Sequence, residues 1–320
     1  MGRFSQCTVR NMIQIPLPSA LVADLQSVER IVLERVNTQP AVVSVAGHHL
    51  STAYKNLLRA TVVLLSAQLG MYDSERVVHV AAAAELIYAA TRTHDDLVDE
   101  GVRRRTNHAA NGEWNHGVTL MVGDYLFALS TGEMALVPDP RIITYYANAV
   151  MEICEGELIP VTAISPSEVA FRQYWQRAER KVAIVAAAAK AGITCGGGTP
   201  DQIALLQRFG LHLGLALRLR EELRDLQGAE LPESLQRGIV TLPLLHTAAI
   251  VGEDVVRNAL DGSDPSALAG LAHLMRSAGI EPTRSELNVQ VAAAKATLGV
   301  FPESEARQTL RHFVDHVVNE

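Results

Sequence analysis

The sequence predicts an all-α protein, and three observations predict it. Apolar residues recur at helical spacing along nearly the whole chain, no alternating strand pattern competes, and the breaks carry helix-ending or helix-starting residues. In chain order the periodicity predicts helices over 21–36, 54–69, 76–98, 117–135, 142–160, 167–191, 200–227, 242–249, 254–261, 265–278, 286–298 and 304–318. Residues 1–20 precede the first helix and are expected to be a loosely ordered N-terminal segment. Pro138-Asp139-Pro140 separates the fourth helix from the fifth. Gly196-Gly197-Gly198-Thr199-Pro200 closes the sixth and gives the seventh an N-cap and a first-turn proline; Gly262-Ser263-Asp264-Pro265 does the same for the tenth. Helix follows helix through short connections, without a composition shift or a fixed repeat, so residues 1–320 are expected to form one helical bundle.

The composition agrees and removes several function classes. Of the 320 residues 48% are apolar and only 5% aromatic, the profile of a large aliphatic core. The net charge of −7 is spread without a long run of either sign, so no nucleic-acid partner is expected. Apolar stretches such as 78–90 fall short of the roughly 20 residues that span a bilayer, and the N-terminal residues lack a signal-peptide core. A cytoplasmic protein without a membrane span is the expectation. Cys7, Cys154 and Cys195 are odd in number and far apart, as reduced thiols would be.

Chemistry enters at Asp95-Asp96-x-x-Asp99. On a helix, Asp95 and Asp99 share one stripe a turn apart, with Asp96 beside them. Like charges so placed repel and destabilise the helix, so a cation is expected there. Hard oxygen donors at this density suit Mg²⁺, which keeps waters and completes its sphere with substrate phosphates. Arg103-Arg104-Arg105 follows, and guanidinium forks match phosphate oxygens. Together they predict a metal and diphosphate site. The same geometry returns at Glu221-Glu222-x-x-Asp225, where two readings stand: a second metal clamp facing the first, or acids neutralised by the interleaved Arg218, Arg220 and Arg224.

At these residues the chain resembles the trans-isoprenyl diphosphate synthases, as a divergent member similar to prenyltransferase-like terpene synthases. The resemblance rests on His94-Asp95-Asp96-Leu97-Val98-Asp99 with Arg104-Arg105, then Val122-Gly123-Asp124-Tyr125-Leu126, Glu155-Gly156-Glu157-Leu158, Tyr174 and Lys181, Leu213-Gly214-Leu215-Ala216 and Thr241-Leu242-Pro243-Leu244-Leu245. It implies an isoprenoid-synthase-type helical bundle around a central apolar cavity. It also implies Mg²⁺ held by Asp95, Asp96, Asp99, Glu221, Glu222 and Asp225, with diphosphate held by Arg104, Arg105, Lys181 and Arg218. A homodimer is implied by the resemblance alone.

The departures are as informative. Where the family has a Phe-Gln pair before a second DDxxD, this chain has Leu217-Arg218 before Glu221-Glu222-x-x-Asp225, and Arg218 could meet diphosphate directly or stand in a metal's electrostatic place. The family's binders of the acceptor, isopentenyl diphosphate, are altered: the Gly-Lys-Arg stretch reads Tyr54-Lys55-Asn56-Leu57-Leu58-Arg59, and the histidine seven residues before the first aspartate is Tyr88. The threonine after Lys181 is Val182, the lysine before the TLP segment is Ile239, and Arg92 stands one turn before Asp95. His94 is expected to support the site rather than ligate, and Asp124 to support helix packing or a nearby basic residue.

The retained half predicts ionisation of an allylic diphosphate with Asp95, Asp96 and Asp99 as catalytic residues, followed by cyclisation, proton loss or capture by water. Elongation with isopentenyl diphosphate is the alternative, and a non-catalytic subunit paired with an active synthase is a third. Where the family plugs its hydrophobic tunnel, this chain has Ala90 and Thr91; the floor then falls near Ile87 and Ala83–Ala84, with Tyr88 facing the cavity, and farnesyl or geranylgeranyl diphosphate is the expected substrate.

Overall fold

The helices are α1 (Ser19–Val36), α2 (Leu58–Ala67), α3 (Ser74–Thr106), α4 (His116–Met134), α5 (Arg141–Leu158), α6 (Ser167–Lys181), α7 (Ala183–Cys195) and α8 (Pro200–Asp225). They continue with the single turn α9 (Glu233–Gln236), then α10 (Leu242–Val251), α11 (Glu253–Asp261), α12 (Pro265–Leu274), α13 (Ile280–Thr297) and α14 (Glu305–Asn319). This computed structural model describes residues 17–36, 57–106, 116–159, 164, 167–261 and 265–319, and among them there is no strand. No described helix is long and apolar enough to cross a membrane.

Two helices that are apolar on every side occupy the middle, where such helices must go. α2 is buried from Ala60 to Ala67, and α7 from Ala183 to Ala189 and again from Ala191 to Thr194. They pack on each other; α3 covers α2, while α5 and α8 cover α7. α3 itself is about 50 Å long. Its Ala-rich first half, including Ala81–Ala84, Ile87 and Ala90, lies in the core, and the helix continues through the charged motif to Thr106. Alanines at these positions let α2 and α4 approach closely. A smaller second core gathers Leu226, Leu235, Leu244, Val256 and Met275, which pins α9 and the segment leading to α10.

The expected helices form, with four differences. The predicted helix 167–191 breaks at Val182, whose φ of −97° and ψ of 6° part α6 from α7. α8 approaches this break so closely that a Cβ on Gly214 would come within 2.7 Å of the Val182 Cβ, which is why the glycine is needed there. The gap expected between 278 and 286 does not open: a π turn over Met275–Gly279 leads directly into α13, and Pro282 lies in the continuous helix just past that wider turn. α3 runs beyond residue 98 to Thr106, and α9 had no periodic signature. The Thr199 cap forms as expected, exchanging hydrogen bonds with Gln202 in a capping box ahead of Pro200.

Candidate active site

Arg92 and Asp95 of α3 face a cavity of about 170 Å³ also lined by Glu157, Tyr174, Arg177, Ala178, Lys181, Arg218, Arg237, Ile239 and Val240. Five cationic side chains thus converge on two carboxylates. A strongly cationic recess suits an oxygen-rich anion, since each guanidinium can fork onto such oxygens. Arg92 lies 3.4 Å from Asp95, one turn away. The side chains of Asp96, Asp99, Arg104 and Arg105, and residues Tyr54–Asn56, lie outside the described residues.

Lys181 reaches the cavity because α6 ends there, at the Val182 break. Its ammonium lies 2.5 Å from Glu157, which also accepts from Arg177 at 2.9 Å. Burial works to raise the Glu157 pKa, but Lys181 and Arg177 outweigh it and hold the carboxyl below its ordinary range. Lys181 is shifted down by burial, with Arg218 adding to the shift and Glu157 and Asp95 opposing it. The Nε–H groups of Arg177 and Arg218 are buried without an acceptor among the described residues, a condition that ligand oxygens would relieve.

The second acidic motif behaves differently. Glu222 points inward, its side chain only 7% exposed. Its carboxylate takes the Tyr174 hydroxyl at 3.0 Å on each oxygen, the Leu242 N–H at 2.9 Å and the Arg218 guanidinium at 3.1 Å. Burial raises its pKa against the pull of Arg218, Leu242 and Tyr174. Burial likewise disfavours charge on Arg218, but Glu222, Tyr174 and Glu221 more than compensate and keep the guanidinium charged. Asp225 accepts from the Glu233 and Ser234 N–H groups at 2.8 and 3.0 Å, capping α9. Glu221 alone faces solvent. In place of the expected clamp, Glu222 and Asp225 have their oxygens engaged by protein donors, and among the described residues no group of three His, Cys, Asp or Glu side chains is placed to hold a metal. The Asp95 carboxylate is a hard donor of the kind a divalent cation takes, whereas Glu222 and Asp225 accept hydrogen bonds from the protein while lining, with Glu221, a second cavity of about 240 Å³.

On the acceptor side, Arg59 stacks on the Tyr88 ring at 3.1 Å from its centroid and lies 3.5 Å from the buried Glu85. A cation held over an aromatic face this way is worth about 2 kcal/mol when desolvated. Thr91 donates to the Tyr88 carbonyl at 2.9 Å, and Ile87 and Ala90 are buried in the aliphatic core below. His94 lies 3.5 Å from Asp124 and 3.2 Å from the Leu120 carbonyl, packed where a Cβ on Gly123 would collide with its ring. Asp124 itself is exposed.

Two cavity cations escaped the sequence reading. Arg177 was legible in principle, four residues before Lys181 on one helical stripe. Arg237 was not: the loss of a lysine at Ile239 was visible, but its neighbour enters the same cavity only because α9 and the second core set the path of the chain.

The polyprenyl synthetase family model matches residues 41–274. The chain is 30% identical over 305 residues to heptaprenyl diphosphate synthase component 2 of Geobacillus stearothermophilus, covering 92% of this chain and 94% of that one. It is 27% identical to octaprenyl diphosphate synthase of Escherichia coli K12, with 90% and 93% covered. Among solved structures it is similar to a polyprenyl synthase from Caulobacter crescentus CB15 complexed with calcium and isoprenyl diphosphate, at 26% identity and a TM-score of 0.81, with 93% of this chain and 95% of that chain covered. By sequence and by fold alike, this chain belongs to the polyprenyl synthetase family of class I isoprenoid diphosphate enzymes.

Proposed function

We propose that the protein binds an allylic prenyl diphosphate of 15 to 20 carbons with its diphosphate in the cationic cavity, and ionises it. Mg²⁺ at Asp95, Asp96 and Asp99, with Arg104 and Arg105, would supply charge stabilisation on the leaving diphosphate. Arg92, Arg177, Lys181, Arg218 and Arg237 hold the same group by direct charge-assisted contacts. The prenyl chain would be directed toward Tyr88, Thr91, Ala90 and Ile87, which lie beyond the lining of the cavity, Ala90 and Ile87 within the packed core. The resulting cation cyclises, loses a proton or meets water.

One observation favours this over elongation: Arg59 is stacked on the Tyr88 ring and drawn toward the buried Glu85, although its Nε–H has no acceptor among the described residues. An elongating enzyme must hold a second diphosphate for the reacting carbons to meet. A guanidinium already stacked and paired is a poor donor for it. Incubation with Mg²⁺ and farnesyl or geranylgeranyl diphosphate should release hydrocarbon or alcohol, while labelled isopentenyl diphosphate stays unincorporated. Incorporation into longer products would replace this reading with elongation.

A second reading has its own support. The Geobacillus relative is named as a component, and a subunit of a heteromeric synthase would need a partner for activity. If the protein alone releases no product but a co-expressed homologue restores turnover, the subunit reading prevails. A homodimer remains part of the proposal, and size-exclusion chromatography with light scattering tests it.

A further inference from the structure

We infer that the second acidic motif has exchanged metal binding for holding a guanidinium, so that Arg218, locked by Glu222 and Tyr174, completes a diphosphate cradle that works without metal. The inference rests on the reading of the cavity as a diphosphate site.

Three features carry it. First, both Glu222 oxygens are filled by Tyr174, the Leu242 N–H and Arg218, and both Asp225 oxygens cap α9, which leaves Glu221 as the motif's exposed carboxylate. A carboxylate has about four lone-pair positions. The one Tyr174 proton, the Leu242 N–H and Arg218 occupy Glu222 in a buried setting, whereas Asp225 spends one position of each oxygen on α9 and lies beside Glu221, so Glu222 is the carboxylate given over to the protein. Second, the donors around Glu222 come from three separate elements, α6, α8 and the start of α10. A carboxylate held at that many points fixes the guanidinium paired with it, and a donor fixed before binding loses less entropy when it binds. Third, Arg218 also lines the cavity beside Lys181, Arg177, Arg237 and Arg92, and the buried Nε–H groups of Arg177 and Arg218 have no acceptor among the described residues. Five cations line the cavity with Asp95 and Glu157, and because Arg218 is paired with Glu222 and Arg237 with Glu233, the cradle would act through its converging guanidinium and ammonium donors rather than through a large surplus of charge. Glu222 is a positioning residue here; it acts on the ligand through Arg218.

The test is titration of the full-length protein with inorganic diphosphate in EDTA at near-neutral pH and moderate salt. The expected result is saturable binding at one site without metal. Arg218→Ala should weaken it by about tenfold or more, the loss of one charge-assisted contact. Glu222→Gln and Tyr174→Phe should weaken it in the same direction, and neither should have a further effect once Arg218 is already alanine; a merely structural role would not give that pattern. Arg237→Ala, at a side chain outside the buried network, should also weaken binding and keeps the test open if Glu222→Gln fails to fold. Diphosphate binding that needs Mg²⁺, or metal-free binding indifferent to Arg218, overturns the inference and leaves the prenyl reading standing. A parallel titration with Mg²⁺ and a non-hydrolysable farnesyl thiodiphosphate separates the two: if the farnesyl group adds no affinity over diphosphate, the prenyl reading falls while the cradle stands.

Discussion

α3 and α8 carry the same acidic spacing, two adjacent carboxylates and a third one turn on, and the fold gives the two motifs opposite employment. Asp95 opens onto the cavity beside Arg92. Glu222 turns away from solvent into a buried network, and Asp225 serves a neighbouring helix. The difference is one of surroundings. α3 packs along α4 and brings Asp95 to the cavity, whereas α8 is flanked by α6, α7 and α13 along its length, with the start of α10 against its end. An acid beside a cavity can wait for a ligand; an acid inside a bundle must find donors during folding, or the buried charge costs several kcal/mol. Identical spacing therefore does not imply identical chemistry.

The largest effect that would sharpen this contrast is on turnover. Replacing Asp95 and Asp96 with alanine should lower product release from farnesyl or geranylgeranyl diphosphate by about a hundredfold or more, the scale of losing a charge-stabilising group in a transition state. Glu221→Gln should change it by less than about threefold. Equal losses at the two motifs would erase the distinction. Next comes stability: Glu222→Ala leaves Arg218 buried beside Tyr174 without its carboxylate and should cost about 3–5 kcal/mol in urea unfolding of the metal-free protein. A Glu222 that instead served a metal would leave metal-free stability nearly unchanged on removal.

Smaller effects follow from the capping and charge pairs. Asp225→Ala removes the acceptor for two α9 N–H groups and should cost about 1 kcal/mol. Its effect on metal affinity should be nil. The smallest change concerns acid. Because Lys181 and Arg177 hold the Glu157 pKa below its ordinary value of 4.5, its pairing contributes stability above that value and loses it as pH falls through the lowered pKa. Glu157→Gln should flatten the acid side of the stability profile below about pH 4.5, by on the order of 1 kcal/mol or less. An unchanged slope would mean that the Lys181 and Arg177 contacts do not persist in solution.

Much of the fold was legible because periodicity is local. Leu21, Leu25, Val28 and Val32 recur at helical spacing and are all buried, and Thr199-Pro200 starts a helix as its chemistry requires. The break at Val182 was not legible. It coincides with the close approach of Gly214 from a helix more than thirty residues away, a contact that no signal near Val182 announces. The same break delivers Lys181 to the cavity, so a site residue recognised by type sits beside a contact that the local pattern does not contain.

By itself the sequence determined the all-α class and the stripe shared by Asp95 and Asp99. These follow from residue type and from spacing along one helix, which 3.6 residues per turn converts into angle without reference to anything else. Only the tertiary structure decided that Glu222 would be taken by Tyr174 and Leu242, that Asp225 would cap α9, and that Arg237 would enter the cavity in which Ile239 had seemed a loss. Spacing sets the direction in which a side chain leaves its helix. What it meets there comes from distant parts of the chain, and for a charged group that meeting settles whether it binds a ligand or the protein itself.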